Sequence, residues 1–104
     1  MVEKYYNENG ELGVLVSYGY GAGWSTWNDK KLAYDKRIVE KFLDDVSSDE
    51  MCNFVESLGY ARPYMGGYNQ LELEFIPRGT LFRIYEYDGY ESIETLEDMD
   101  MIVA

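Results

Sequence analysis

The alternation of apolar and polar positions changes rhythm twice along this chain. Residues 12–17 (LGVLVS) form a short continuous apolar run, which predicts a strand buried on both faces. From 36 to 58 the apolar positions recur at helical spacing. Ile38, Val39, Phe42 and Leu43 share one stripe of a helix over 36–46 that Asp35 caps. Met51, Phe54, Val55 and Leu58 form the stripe of a second helix. Ser47 with Glu50 makes its capping box, Ser48 is the other candidate cap, and Gly59 ends it. Ahead of both, Asn28 or Asp29 caps a shorter helical turn through Leu32 and Tyr34. From Leu71 the period is two. Leu71, Leu73 and Phe75 alternate with Glu72 and Glu74, as in a strand with one wet face. Pro77-Arg78-Gly79 turns the chain, residues 80–87 form a second strand of this group, and Asp88-Gly89 is a hairpin turn into a third over 90–96. Met101, Ile102 and Val103 add a last edge strand. Residues 1–10, polar apart from Tyr5 and Tyr6 and turning at Asn9-Gly10, form either a loose arm or the first strand of a hairpin. A strand, then helices, then a meander predicts an α+β fold: a mainly antiparallel sheet with two or three short helices packed on one face. Residues 1–104 fit a single domain.

Charge and composition narrow the partners. Twenty acidic residues against nine basic ones give a net charge of −11, which repels duplex nucleic acid over a wide surface. The same charge suits a protein that mimics DNA or docks on a basic surface. The absence of histidine removes the commonest general base at neutral pH and the commonest zinc ligand. We therefore expect no enzyme, no cofactor and no metal site. The single Cys52 cannot form an internal disulfide and falls beside the stripe of the second helix, which fits a reducing cytoplasm. No apolar run resembles a signal peptide or approaches the ~20 residues that span a bilayer, so no membrane partner is expected.

The most distinctive chemistry lies directly after the apolar strand. Tyr18-Gly19-Tyr20-Gly21-Ala22-Gly23-Trp24-Ser25-Thr26-Trp27, with Asn28 beyond, combines a pliable backbone with flat rings and hydroxyls. The segment matches neither a dinucleotide fingerprint, because Trp24 stands where a third glycine belongs, nor a P-loop. It can still form a nest of backbone N–H groups for a phosphate or carboxylate, with rings that stack a nucleobase. One of the two indoles is expected to anchor the loop on the core. Arginine is scarce. Arg37 starts the first helix, Arg62 lies in the irregular stretch 60–69, and Arg83 sits inside a strand. Arg83 must meet a ligand or pair across the strands with Glu72, Glu74 or Glu94.

The runs VLVSYGYGAGWSTWN, YDKRIVE and MGGYNQLELEFIPRGTLFRIYEYDGYESIE together resemble a group of small bacteriophage-encoded proteins. Within it the chain is similar to anti-defence sponges of the anti-CBASS type, which sequester cyclic nucleotide signals of bacterial immunity. The resemblance covers most of the chain from residue 12 onward. It implies a binding protein without turnover, with residues 18–28 and 83–87, Tyr85 included, facing a cyclic oligonucleotide or related nucleotide signal. A homo-oligomer in the cytoplasm of an infected host would gather arginines from several chains around such a dianionic guest. The competing reading is an acidic inhibitor or DNA mimic that docks on a defence enzyme.

Overall fold

A computed structural model describes residues 2–95. Strand β1 (Leu12–Ser17) runs antiparallel to β2 (Leu71–Ile76), from Leu12 opposite Ile76 to Ser17 opposite Leu71. All six residues of β1 are buried, as the unbroken apolar run predicts. The cause is that β1 separates two half-cores. Leu15 on one side packs with Trp24, Leu32, Ile38, Val39, Met51 and Val55. Leu12, Val14 and Val16 on the other side meet Phe82, Ile84 and Ile93.

Helix α1 (Lys36–Leu43) begins at Asp35, whose side chain accepts from the Arg37 amide at 3.0 Å. Helix α2 (Ser48–Ser57) begins at Ser47, whose hydroxyl accepts from the Glu50 amide at 3.2 Å. Both caps satisfy amides that the first helical turn leaves unpaired. Asp29, the second of the two predicted caps, starts the 3-10 turn Lys30–Ala33. Helix α1 ends three residues before 46 because Asp45 adopts a left-handed backbone at φ 56. Leu43, expected in the apolar stripe, is 52% exposed at that end. Cys52 is buried beside the α2 stripe.

The meander expected over 71–96 is divided. Strands β3 (Phe82–Tyr87) and β4 (Tyr90–Thr95) pair antiparallel, but as a second two-stranded sheet beside β1–β2. The fold is α+β in three layers: helices, the β1–β2 ladder, then the β3–β4 hairpin. The wet face predicted for β2 holds at Glu72 and fails further along. Phe75 is exposed, while Glu74 is half-buried and accepts the Tyr18 hydroxyl at 2.9 Å. Among the described residues the N-terminal segment forms no named strand and meets the rest of the chain at two isolated bridges, one of them from Lys4 to Asp35. Tyr6 bridges to Leu12, and the Asn7 side chain accepts from the Asn9 and Glu11 amides at 3.0 and 2.8 Å. The edge strand expected at 101–103 lies outside the described residues. Among the described residues no helix is long and apolar enough to cross a membrane.

Candidate functional site

The glycine-rich loop leaves β1 at Ser17 and turns its backbone donors inward, not outward. Three of them, the Ser17, Trp24 and Thr26 amides, share one acceptor, Glu91 of β4, whose side chain is fully buried. One Glu91 oxygen accepts from the Ser17 amide at 2.9 Å. The other accepts from the Trp24 amide at 2.8 Å, the Thr26 amide at 3.1 Å and the Thr26 hydroxyl. The nest expected to hold a ligand's phosphate is therefore filled by the chain's own carboxyl group. The hairpin tip seals it. The Gly21 amide donates to the Asp88 carbonyl, and Gly89, at φ 84, lies so close to the Ala22 backbone that a Cβ there would overlap it. Only glycine meets both conditions at that turn.

The two indoles diverge within this short segment. Trp24 is enclosed, its Nε1 donating to the Leu32 carbonyl at 3.1 Å and its ring beside Tyr68. It is the anchor, and it offers no face to a ligand. Trp27 is 42% exposed and packs at 5.7 Å, ring centre to ring centre, on Tyr64. Asn28 fixes that pairing. Its amide nitrogen donates to the Trp24 and Tyr64 carbonyls at 2.9 and 3.0 Å, and its oxygen accepts from the Tyr64 amide at 2.8 Å. Asn28 thus clamps the loop to the irregular stretch 60–69, with its side-chain groups already committed.

Beside Trp27 opens a cleft of about 690 Å³, within the range of small-molecule sites. Ser25, Trp27, Lys30, Tyr60 and Arg62 are among the residues that line it. Arg62 pairs with Glu56 at 2.6 Å, whereas Lys30 forms no ion pair among the described residues. Tyr60 is held by its hydroxyl, which donates to Asp35 at 2.7 Å. Burial and that carboxylate push the Tyr60 phenol well above its usual pKa. A second cleft, about 430 Å³, shares Ser25, Thr26 and Lys30 and adds Tyr34, Phe82 and Arg83.

The remaining expected site residues separate by place. Arg37 is bound to the buried Asp35 through two guanidinium contacts, at 3.1 and 2.8 Å. Burial alone would raise the Asp35 carboxyl. Arg37 and Tyr60 overcome it and hold that carboxyl below its ordinary range. Arg37 is accordingly a structural cation that lines neither cleft. Arg83 pairs with Glu94 at 2.9 Å, one of its three anticipated partners, while also bordering the second cleft. Tyr85 is exposed beside the Arg83 guanidinium and lines neither cleft. Tyr20, 72% exposed, and Tyr18 both lean on Tyr90, apart from the Trp27 cleft. Burial and the bond to Glu74 push the Tyr18 phenol up to about 12. Gly19, Ala22 and Gly23 are buried, which leaves Tyr20, Gly21, Thr26 and Trp27 as the exposed positions between 18 and 27.

Three residues that matter here were not singled out by the sequence pattern: Lys30, Tyr60 and Glu91. Glu91 carried one usable signal, since it shares a strand face with Ile93, the inward face of the hairpin. Among the described residues no group of three or more histidine, cysteine, aspartate or glutamate side chains is arranged to hold a metal. No protein-family model matches the chain, and neither a curated protein nor a solved structure matches it significantly.

Proposed function

We propose that this chain binds a small nucleotide in the cleft beside Trp27 and holds it without turning it over. The observation that carries the reading is one half-exposed indole and one uncommitted cation, Lys30, lining the same cleft. A base stacks on the Trp27 face, and the Lys30 ammonium meets the phosphate. The resemblance to anti-defence sponges narrows the guest to a cyclic nucleotide signal, captured in the cytoplasm of an infected bacterium. A dianionic guest on a chain of charge −11 favours a homo-oligomer in which cations from several copies share one ligand.

Thermal shift and calorimetry with a panel of cyclic dinucleotides, cyclic trinucleotides and mononucleotides test this. Binding by at least one cyclic member is expected, with the ligand recovered intact by mass analysis. Absence of heat and of any shift across the panel at millimolar ligand overturns the reading, and recovery of a hydrolysed product overturns its non-catalytic part.

One observation favours a second reading. Leu81, Tyr85 and Tyr87 are 70%, 45% and 65% exposed along β3 and its entry. Exposed tyrosines on an acidic chain suit an inhibitor that docks on a basic defence enzyme. Tyr87→Ala would then abolish inhibition while Trp27→Ala leaves it intact.

A further inference from the structure

The mechanism of ligand capture makes no use of Glu91, yet this is the most completely enclosed acidic side chain beside the loop. Its surroundings are unusual for a buried acid. The Ser17, Trp24 and Thr26 amides and the Thr26 hydroxyl all point donors at it, and no lysine or arginine forms an ion pair with it among the described residues. Three of these groups belong to the backbone of a single segment, so their convergence is a property of the loop's shape rather than of side chains that could turn aside. A concave set of amides around one acceptor is the arrangement by which loops receive anions.

We infer that residues 17–26 form a carboxylate receptor in their own right, which the chain occupies in cis with Glu91. The ligand class follows from the side chain that fills it. Glu91→Ala keeps Cβ and removes a methylene and a carboxyl group, which is close to one acetate ion in size and charge. The variant should accordingly leave a vacancy that acetate enters and chloride does not match. Thr26 alone of these donors also lines the Trp27 cleft, and the test below reads melting in acetate rather than nucleotide binding, so this inference and the nucleotide reading fail separately.

The experiment compares melting of wild type and Glu91→Ala in sodium acetate and in sodium chloride at equal ionic strength and neutral pH. Acetate should raise the melting temperature over chloride by roughly 5 °C more in Glu91→Ala than in wild type, whose difference reads the general salt effect alone. An acetate-over-chloride difference no larger in Glu91→Ala than in wild type would overturn the inference. If Glu91→Ala is unfolded, the comparison is made in trimethylamine N-oxide, which restores compact states without a specific site. Glu91→Gln, which keeps the volume, supplies the second arm by NMR. Loss of the anion should move the Ser17, Trp24 and Thr26 amide protons upfield, and unchanged positions would contradict a receptor that reads charge.

Discussion

Trp24 and Trp27 belong to one loop and have opposite fates. Trp24 lies on the inner side with Glu91, where indole, backbone amides and hairpin tip are mutually enclosed. Trp27 lies on the outer side, half-exposed against Tyr64 above an open cleft. Glycine and aromatic content alone describe both sides equally well. What separates them is whether polar groups are already satisfied: inside, the donors have an acceptor, while outside Lys30 has none among the described residues. The proposed ligand site accordingly lies at Trp27 and Lys30.

Breaking the inner side should have the largest effect. Trp24→Ala removes a fully enclosed indole and should destabilise by ~3–5 kcal/mol, a large part of the total stability of a domain this size. Urea denaturation reads this directly. Trp27→Ala should change stability by only ~1 kcal/mol or less, yet weaken nucleotide binding by roughly 10-fold or more. Equal loss of stability in the two variants would erase the distinction.

Asp35 supports the outer side from beneath, through Tyr60. Asp35→Ala should cost about 2–3 kcal/mol, from a lost cap and an orphaned Tyr60 hydroxyl. Its carboxyl has a folded pKa below the unfolded value, so its stabilisation is present above about pH 4 and fades as pH falls through the depressed folded value. Acid titration of wild type and Asp35→Asn should diverge at neutral pH and converge at low pH.

Tyr18 gives the opposite sign. Its folded pKa of about 12 lies above the ordinary phenol value near 10, so its contribution is complete below about pH 10 and lost as pH rises through 12. Tyr18→Phe should cost about 1 kcal/mol at neutral pH and flatten the alkaline limb of the stability curve. The smallest effect is expected at the Arg83–Glu94 pair, where Arg83 is largely exposed. Arg83→Gln should shift stability by less than about 1 kcal/mol. A loss of nucleotide binding in that variant would extend the site into the second cleft.

Local chemistry made much of the frame legible. Asp35 and Ser47 as caps, Gly59 as a stop and Asp88-Gly89 as a turn each act through neighbours a few residues away. Spacing alone misses both a local break and distant partners. Helical spacing places Leu43 in the apolar stripe, but the left-handed Asp45 two residues on ends α1 there. Alternation left Phe75 inward and Glu74 wet, and the Tyr18 hydroxyl draws Glu74 into partial burial. The loop shows the same limit more sharply. Its aromatic and glycine content marked it as unusual, and one anchoring indole was foreseeable. That the anion for its amides is Glu91, which meets Ser17 across 74 residues of sequence, depends on how the hairpin packs over β1. Tyr60 likewise reaches the Trp27 cleft from a stretch that Asn28 ties to the loop across 36 residues of sequence, whereas Lys30 is a local neighbour three residues on.

The division between the two indoles can be read with single-tryptophan chains. Trp24→Phe leaves Trp27 as the reporter, and Trp27→Phe leaves Trp24. In a fluorescence titration with cyclic dinucleotides and trinucleotides, stacking should quench Trp27 saturably while Trp24 emission stays unchanged. Saturable quenching of Trp24 with a silent Trp27, in chains shown to be folded, would contradict the account.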